Sequence, residues 1–148
     1  GIKIGYISQD TKEQNNESIE EYVMNSLKNQ KIDDNSIIYT VLNQFNFDYE
    51  ERKKKYSILS PGERTRLKLA IFSLEDINTL ILDEPTNHLD IEALEAIEEV
   101  LKDFNGTVIA ISHDRQFIKN IYPNKILEFT KGKIQEIYHG EDNDYDFR

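Results

Sequence analysis

Cysteine is absent from the 148 residues, so neither disulfides nor thiolate zinc sites can hold the fold. That absence is compatible with a reducing compartment, and a cytoplasmic location is the expectation. Long apolar runs are missing too: 80–82 and 108–111 are far too short to cross a bilayer, so no direct membrane insertion is expected. The opening residues, Gly1 to Ser8, alternate like a strand and lack the long apolar core of a secretory leader. Positive charge is scarce, with 18 Lys and Arg against 28 Asp and Glu and a net charge of -10. Taken whole, that is the wrong sign for a surface that grips nucleic acid. The deficit is uneven. Arg52, Lys53, Lys54, Lys55, Arg64, Arg66 and Lys68 crowd one stretch. It reads equally as a solvated helix face or a surface for an anionic partner. Residues 141–146 close the chain as a solvated acidic tail.

What remains is enough for one domain with a proper core. "IKIGYIS" (Ile2 to Ser8) reads as a strand, followed by a polar loop from Gln9 to Asn16. Ser18 with Glu21 forms a capping box that opens a helix carrying Ile19, Tyr22, Val23 and Leu27 inward. A second helical pattern starts near Ser36. Further helices are expected over Ser60 to Leu74, Ile91 to Phe104 and Arg115 to Ile121, with apolar strands at Thr79 to Leu82 and Thr107 to Ile111. Unalternating strands separated by helices imply a parallel sheet covered on both faces. "KILEFTKGKIQEIY" reads as a closing hairpin turning at Lys131-Gly132. The fold class is α/β with a helical insertion.

Four short stretches carry chemistry. In "LSPGERTRLKLA", Ser60 is a good N-cap, Pro61 suits the first helical position and Glu63 completes a second capping box. Those three need no ligand to explain them. Gly62 does ask for a reason, because glycine in a first turn is costly, and close approach of a ligand to free N–H groups would supply one. In "LILDEPTNHLD", Asp83 falls at the carboxyl edge of the sheet, where ligands bind in open α/β folds, and suits a magnesium site. Glu84 could orient or deprotonate a water, and Asp90 is placed as N-cap of the next helix. Two acids at a strand end could equally be plain caps. His113 in "VIAISHDRQF" and Gln9 after "IGYIS" close two other strands, and neither means much alone.

In this order and spacing, "IGYISQD", "LSPGERTRLKLA", "LILDEPTNHLD" and "ISHDRQF" resemble the Q-loop, signature, Walker B with D-loop, and switch histidine of the ATP-binding cassette (ABC) ATPases. The wording "EPTNHLD" and "GERTRL" is most similar to the ABC-F branch, whose members are soluble, carry two cassettes on one chain and often act on ribosomes, as translation factors or in antibiotic-resistance protection. The resemblance implies a partial P-loop NTPase cassette: a mostly parallel sheet covered by helices, with a helical subdomain inserted between Q-loop and signature. By that resemblance residues 1–148 are the C-terminal part of one cassette, with the insert at about 11–58 and the signature, Walker B, D-loop, switch histidine and hairpin at 59–148. It implies ATP and Mg2+ as cofactors. Asp83 and Gln9 would serve the metal, Glu84 the attacking water and His113 the γ-phosphate. Ser60, Gly62 and Glu63 would lie in the signature facing nucleotide on a second cassette, and Asp90 would communicate across that interface.

Two features depart from the family. Pro61 stands where glycine is common, which removes one N–H but fits the first helical position. The sequence also contains no G-x-x-x-x-G-K-[ST], the loop that cradles nucleotide phosphates and that lies upstream of the Q-loop in the family. The expectation is a cassette whose phosphate-binding part lies elsewhere, with this stretch alone inactive and prone to associate with itself. A nucleotide-binding subunit of a membrane transporter, an SMC-type chromosome or repair ATPase half, and a non-catalytic ribosome-docking module are the alternatives.

Overall fold

The structure, a computed structural model, describes residues 1–8, 14–87 and 89–139. These divide into two compact units, Gly1–Ile111 and the residues from Ser112 onward. The first contains β1 (Ile4–Ile7), α1 (Ile19–Ser26), α2 (Asn35–Gln44), α3 (Tyr49–Arg52), a 3-10 turn (Tyr56–Ile58), α4 (Pro61–Leu74), β2 (Thr79–Asp83), α5 (Ile91–Asp103) and β3 (Thr107–Ile111). The second contains α6 (Arg115–Asn120) and the strands β4 (Lys125–Thr130) and β5 (Lys133–His139).

Local chemistry explains most boundaries. Both expected capping boxes form: Ser18 Oγ accepts from the Glu21 N–H and Glu21 Oε2 accepts from the Ser18 N–H, with Ser60 and Glu63 repeating the exchange at α4. Asp34 caps α2 and Asp48 caps α3 through their side-chain oxygens. The hairpin turns where Lys131 and Gly132 both take positive φ, 49° and 74°, as a two-residue hairpin loop requires.

The helices between β1 and α4 build their own core. Ile19, Val23, Ile38, Leu42, Phe47, Tyr56 and Leu67 are all buried in one cluster. Tyr22 stacks on Tyr56 with centroids 4.0 Å apart. The arginines of the basic stretch turn out to belong to this structure, which neither reading of it anticipated. Arg52 and Arg66 are buried: the Arg52 guanidinium donates to Asn43 Oδ1 and the Phe47 carbonyl, and that of Arg66 lies over the Phe47 ring. Arg64 is buried as well. Lys53 and Lys54 instead pair with Glu50 and Glu51 on the surface.

The sheet order is β1-β2-β3, all parallel, with Ile7 opposite Leu82 and Asp83 opposite Ile111. Ile7, Leu80 and Leu82 are buried on one face. There α4 comes so close that a Cβ on Gly5 would stand 3.0 Å from the Phe72 ring. The other face carries Ile4, Tyr6, Ile109 and Ile111, each about half exposed. Cover on both faces was expected; among the described residues of this unit, helices pack on the face of Gly5, Ile7, Leu80 and Leu82. The reason is topological: crossovers of one hand that advance in one direction place their helices on one side, and α4 and α5 pack against each other accordingly.

The Asp34 carboxyl is held below its ordinary range, first by the Ser36 backbone N–H. A lowered carboxyl stabilises the fold above its unfolded pKa, and that contribution fades as pH falls through the lower folded value. The Ser36 amide resonance should therefore move on acidification with a midpoint below that of an ordinary aspartate, and Asp34→Ser should abolish the movement while keeping the cap. A midpoint at the ordinary value would contradict this account.

Candidate functional site

The carboxyl end of β2 is the place to begin. Strand β2 is bonded on both sides, so Asp83, its last residue, stands at a fixed point of the sheet edge. Asp83 is half-buried and accepts a hydrogen bond at Oδ2 from the Tyr6 hydroxyl of β1, 2.8 Å away. That bond is the first cause raising the Tyr6 phenol above its ordinary pKa, with burial second. Tyr6 was not singled out in the sequence, although alternation along "IKIGYIS" puts it on the Asp83 face, since its register partner is Ile81.

Glu84 follows in the left-handed region, at φ 49°, and its N–H donates to the Ile111 carbonyl at 2.8 Å. Such a conformation costs a non-glycine residue roughly 1–2 kcal/mol, and persists only where its surroundings impose it. Here the bond to β3 imposes it. Nothing in the residue type signals this, because glutamate has no special tolerance for positive φ.

The signature-like stretch occupies the first turn of α4. Glu63 spends its carboxylate on the Ser60 N–H, so both residues serve the helix start. Gly62 is buried, and the room a Cβ would take is filled: Asp90 Oδ1 lies 2.9 Å away and the Ala93 Cβ 3.3 Å. Asp90 caps α5 as expected, accepting from the Ala93 N–H at 2.9 Å. Arg66 Nη1 reaches Glu92 Oε2 at 3.4 Å, a second tie between α4 and α5 that the sequence did not reveal. The structure thus brings Ser60, Gly62, Glu63 and Asp90 together, and places Asp83 and Glu84 at one sheet edge.

Within the second unit, His113 is exposed on a bend between Ser112 and Asp114. Ser112 Oγ accepts from the Asp114 N–H, and Asp114 caps α6. Gln9 lies outside the described residues. A groove of about 910 Å3 runs between the end of α2, α4 and α5, and none of the candidate site residues lines it. Among the described residues no group of three His, Cys, Asp or Glu side chains could hold a metal ion, and no helix is long and apolar enough to cross a membrane.

The family profile described as ABC transporter matches residues 1–87. The chain belongs to the ATP-binding cassette family. Among its relatives, ABC transporter F family member 5 of Arabidopsis thaliana is 44% identical over 105 residues, covering 71% of this chain and 15% of that protein. The match therefore spans about a seventh of the length of this relative. Two solved cassettes share the fold. One is cbiO1 from Clostridium perfringens, part of the ABC transporter complex cbiONQ, with a TM-score of 0.69 at 24% identity, over 89% of this chain and 55% of that one. The other is the archaeal ribosome recycling factor aABCE1 in complex with ribosomal stalk protein aP1, with a TM-score of 0.64 at 22% identity, over 90% of this chain and 26% of that one. The parallel sheet β1-β2-β3 with its helices thus belongs to an ABC cassette fold, and the family binds ATP.

The strained glutamate gives a prediction independent of any ligand. Both Glu84→Gly and Glu84→Ala remove the carboxylate, but only glycine relieves the left-handed strain. Glu84→Gly should be the more stable of the two, by roughly 1 kcal/mol after the entropy glycine adds to the unfolded chain. Denaturant midpoints that place Glu84→Ala above Glu84→Gly would refute the strain.

Proposed function

We propose that this chain supplies the catalytic strand and signature of an ATP-hydrolysing cassette of the ABC-F type, which works on the ribosome. The observation that carries the catalytic half is the pair Asp83–Glu84 at the edge of β2, with Glu84 turned out of strand geometry by its bond to Ile111. Glu84 thereby leaves strand geometry directly after Asp83, and the two carboxylates stand side by side in sequence at the end of β2.

The donor set fits magnesium. A hard carboxylate oxygen at the sheet edge suffices, because magnesium keeps several waters and takes phosphate oxygens as further ligands. Magnesium-bound ATP, when held there, supplies the transferable γ-phosphoryl group with part of its charge neutralised. Asp83 and Gln9 are the chain's contribution to holding the ion, with Tyr6 steadying Asp83. Glu84 orients the attacking water and accepts its proton. His113 donates a hydrogen bond to the γ-phosphate. Ser60 and Gly62 present the first turn of α4 to nucleotide on a second cassette, in the same chain or a dimer partner. Glu63 holds that turn through the capping box, and Asp90 meets the partner cassette.

The phosphate-cradling loop is not in this sequence, so ATP turnover requires it from another segment. Assayed in a protein that joins this sequence to a G-x-x-x-x-G-K-[ST] segment, Glu84→Gln should cut ATP hydrolysis by at least about a hundredfold, the range for a positioned general base. The 148-residue chain alone should show no turnover. Unchanged hydrolysis by the Glu84→Gln protein would remove Glu84 from the chemistry. Similarity to an F family member and the fold shared with a ribosome recycling factor support the ribosomal half. The Glu84→Gln protein should co-sediment with ribosomes in ATP and leave them in ADP, and absence from the ribosomal fractions in both would end that part of the reading.

A further inference from the structure

The first turn of α4 and the first turn of α5 meet at one point, and a missing side chain makes that meeting possible. Gly62 is buried, and its Cβ position is 2.9 Å from Asp90 Oδ1, 3.2 Å from Asp90 Cγ and 3.3 Å from the Ala93 Cβ. The first of those separations is shorter than carbon and oxygen tolerate without movement, so no larger residue fits while Asp90 keeps its place. Asp90 cannot simply turn aside, because the same Oδ1 accepts the Ala93 N–H that starts α5. One turn further along, Arg66 ties α4 to Glu92 of α5, with its guanidinium against Phe47.

We propose that Gly62 and Asp90 form a steric joint that makes the signature turn and the turn after the catalytic strand move as one body. The glycine is then required by a contact within the chain, in addition to any approach of nucleotide from outside. A displacement of the α4 start that closes this gap drives the Asp90 carboxylate off the Ala93 N–H, and the first turn of α5 loosens. That nucleotide contact at Ser60 is felt at Asp90 rests on the cassette reading above; the joint itself does not, and it can be tested with no nucleotide present.

The test uses the sign of a substitution. An exposed glycine in a helix normally stabilises when changed to alanine, since alanine is the better helix former. At this joint Gly62→Ala should lower the unfolding midpoint, and amide exchange at Ala93 should quicken at least tenfold. Asp90→Gly removes the obstructing carboxylate while leaving a tolerable N-cap. In that background Gly62→Ala should reverse sign and raise the midpoint. If Gly62→Ala alone does not fold, a folded Gly62→Ala/Asp90→Gly chain supports the joint, and an unfolded one overturns it. A destabilisation of the same size in both backgrounds, or stabilisation by Gly62→Ala alone, also overturns it.

Discussion

Because β2 is paired in parallel on both sides, its carboxyl end cannot shift without breaking hydrogen bonds to β1 and β3 together. This constraint places every candidate catalytic group of the first unit. Asp83 is the last residue of the doubly bonded strand, in register with Ile111. The Ile111 carbonyl, at the end of β3, then takes the Glu84 N–H and forces that residue into the left-handed region. From β1, Tyr6 reaches across to the Asp83 carboxylate. Three strands thus converge on two adjacent carboxylates, and the strain at Glu84 is maintained by the regular ladder beside it.

The helices repeat the theme with different forces. A helix start leaves N–H groups without intrahelical partners, and side chains close most of these gaps here. Ser60 and Glu63 close them at α4, Asp90 at α5. What joins the two starts is steric fit at Gly62 plus the pairing of Arg66 with Glu92. The ion pair adds little energy by itself, since Glu92 is largely exposed and such pairs contribute at most about 1 kcal/mol. Packing therefore decides the geometry, and the charge pair follows it.

Much of this was legible from residue types whose effects are local. The capping boxes at Ser18–Glu21 and Ser60–Glu63 need only four consecutive residues, and both formed as read. The turn at Lys131-Gly132 and the apolar runs of β2 and β3 depend equally on neighbours in sequence. What escaped was set by distant contacts. The positive φ of Glu84 comes from a carbonyl 27 positions away, and the Tyr6–Asp83 bond joins residues 77 apart. The buried arginines escaped for a related reason. A guanidinium looks like a surface charge until a ring such as Phe47 and a carbonyl are brought to it, and the long stems of Arg52 and Arg66 pack as apolar matter.

The half-exposed face of the sheet follows from the same topology that positions the site. Strand order advances β1, β2, β3 without reversal, so both crossovers return on one side and the apolar residues of the other side have no helix supplied by those connections. Ligands in open α/β sheets bind where strand order reverses, because there the loops diverge and leave a crevice. Within β1–β3 no such reversal exists. The edge at Asp83 is therefore set by strand pairing and by the Glu84–Ile111 bond, and no switch point within these three strands contributes to it.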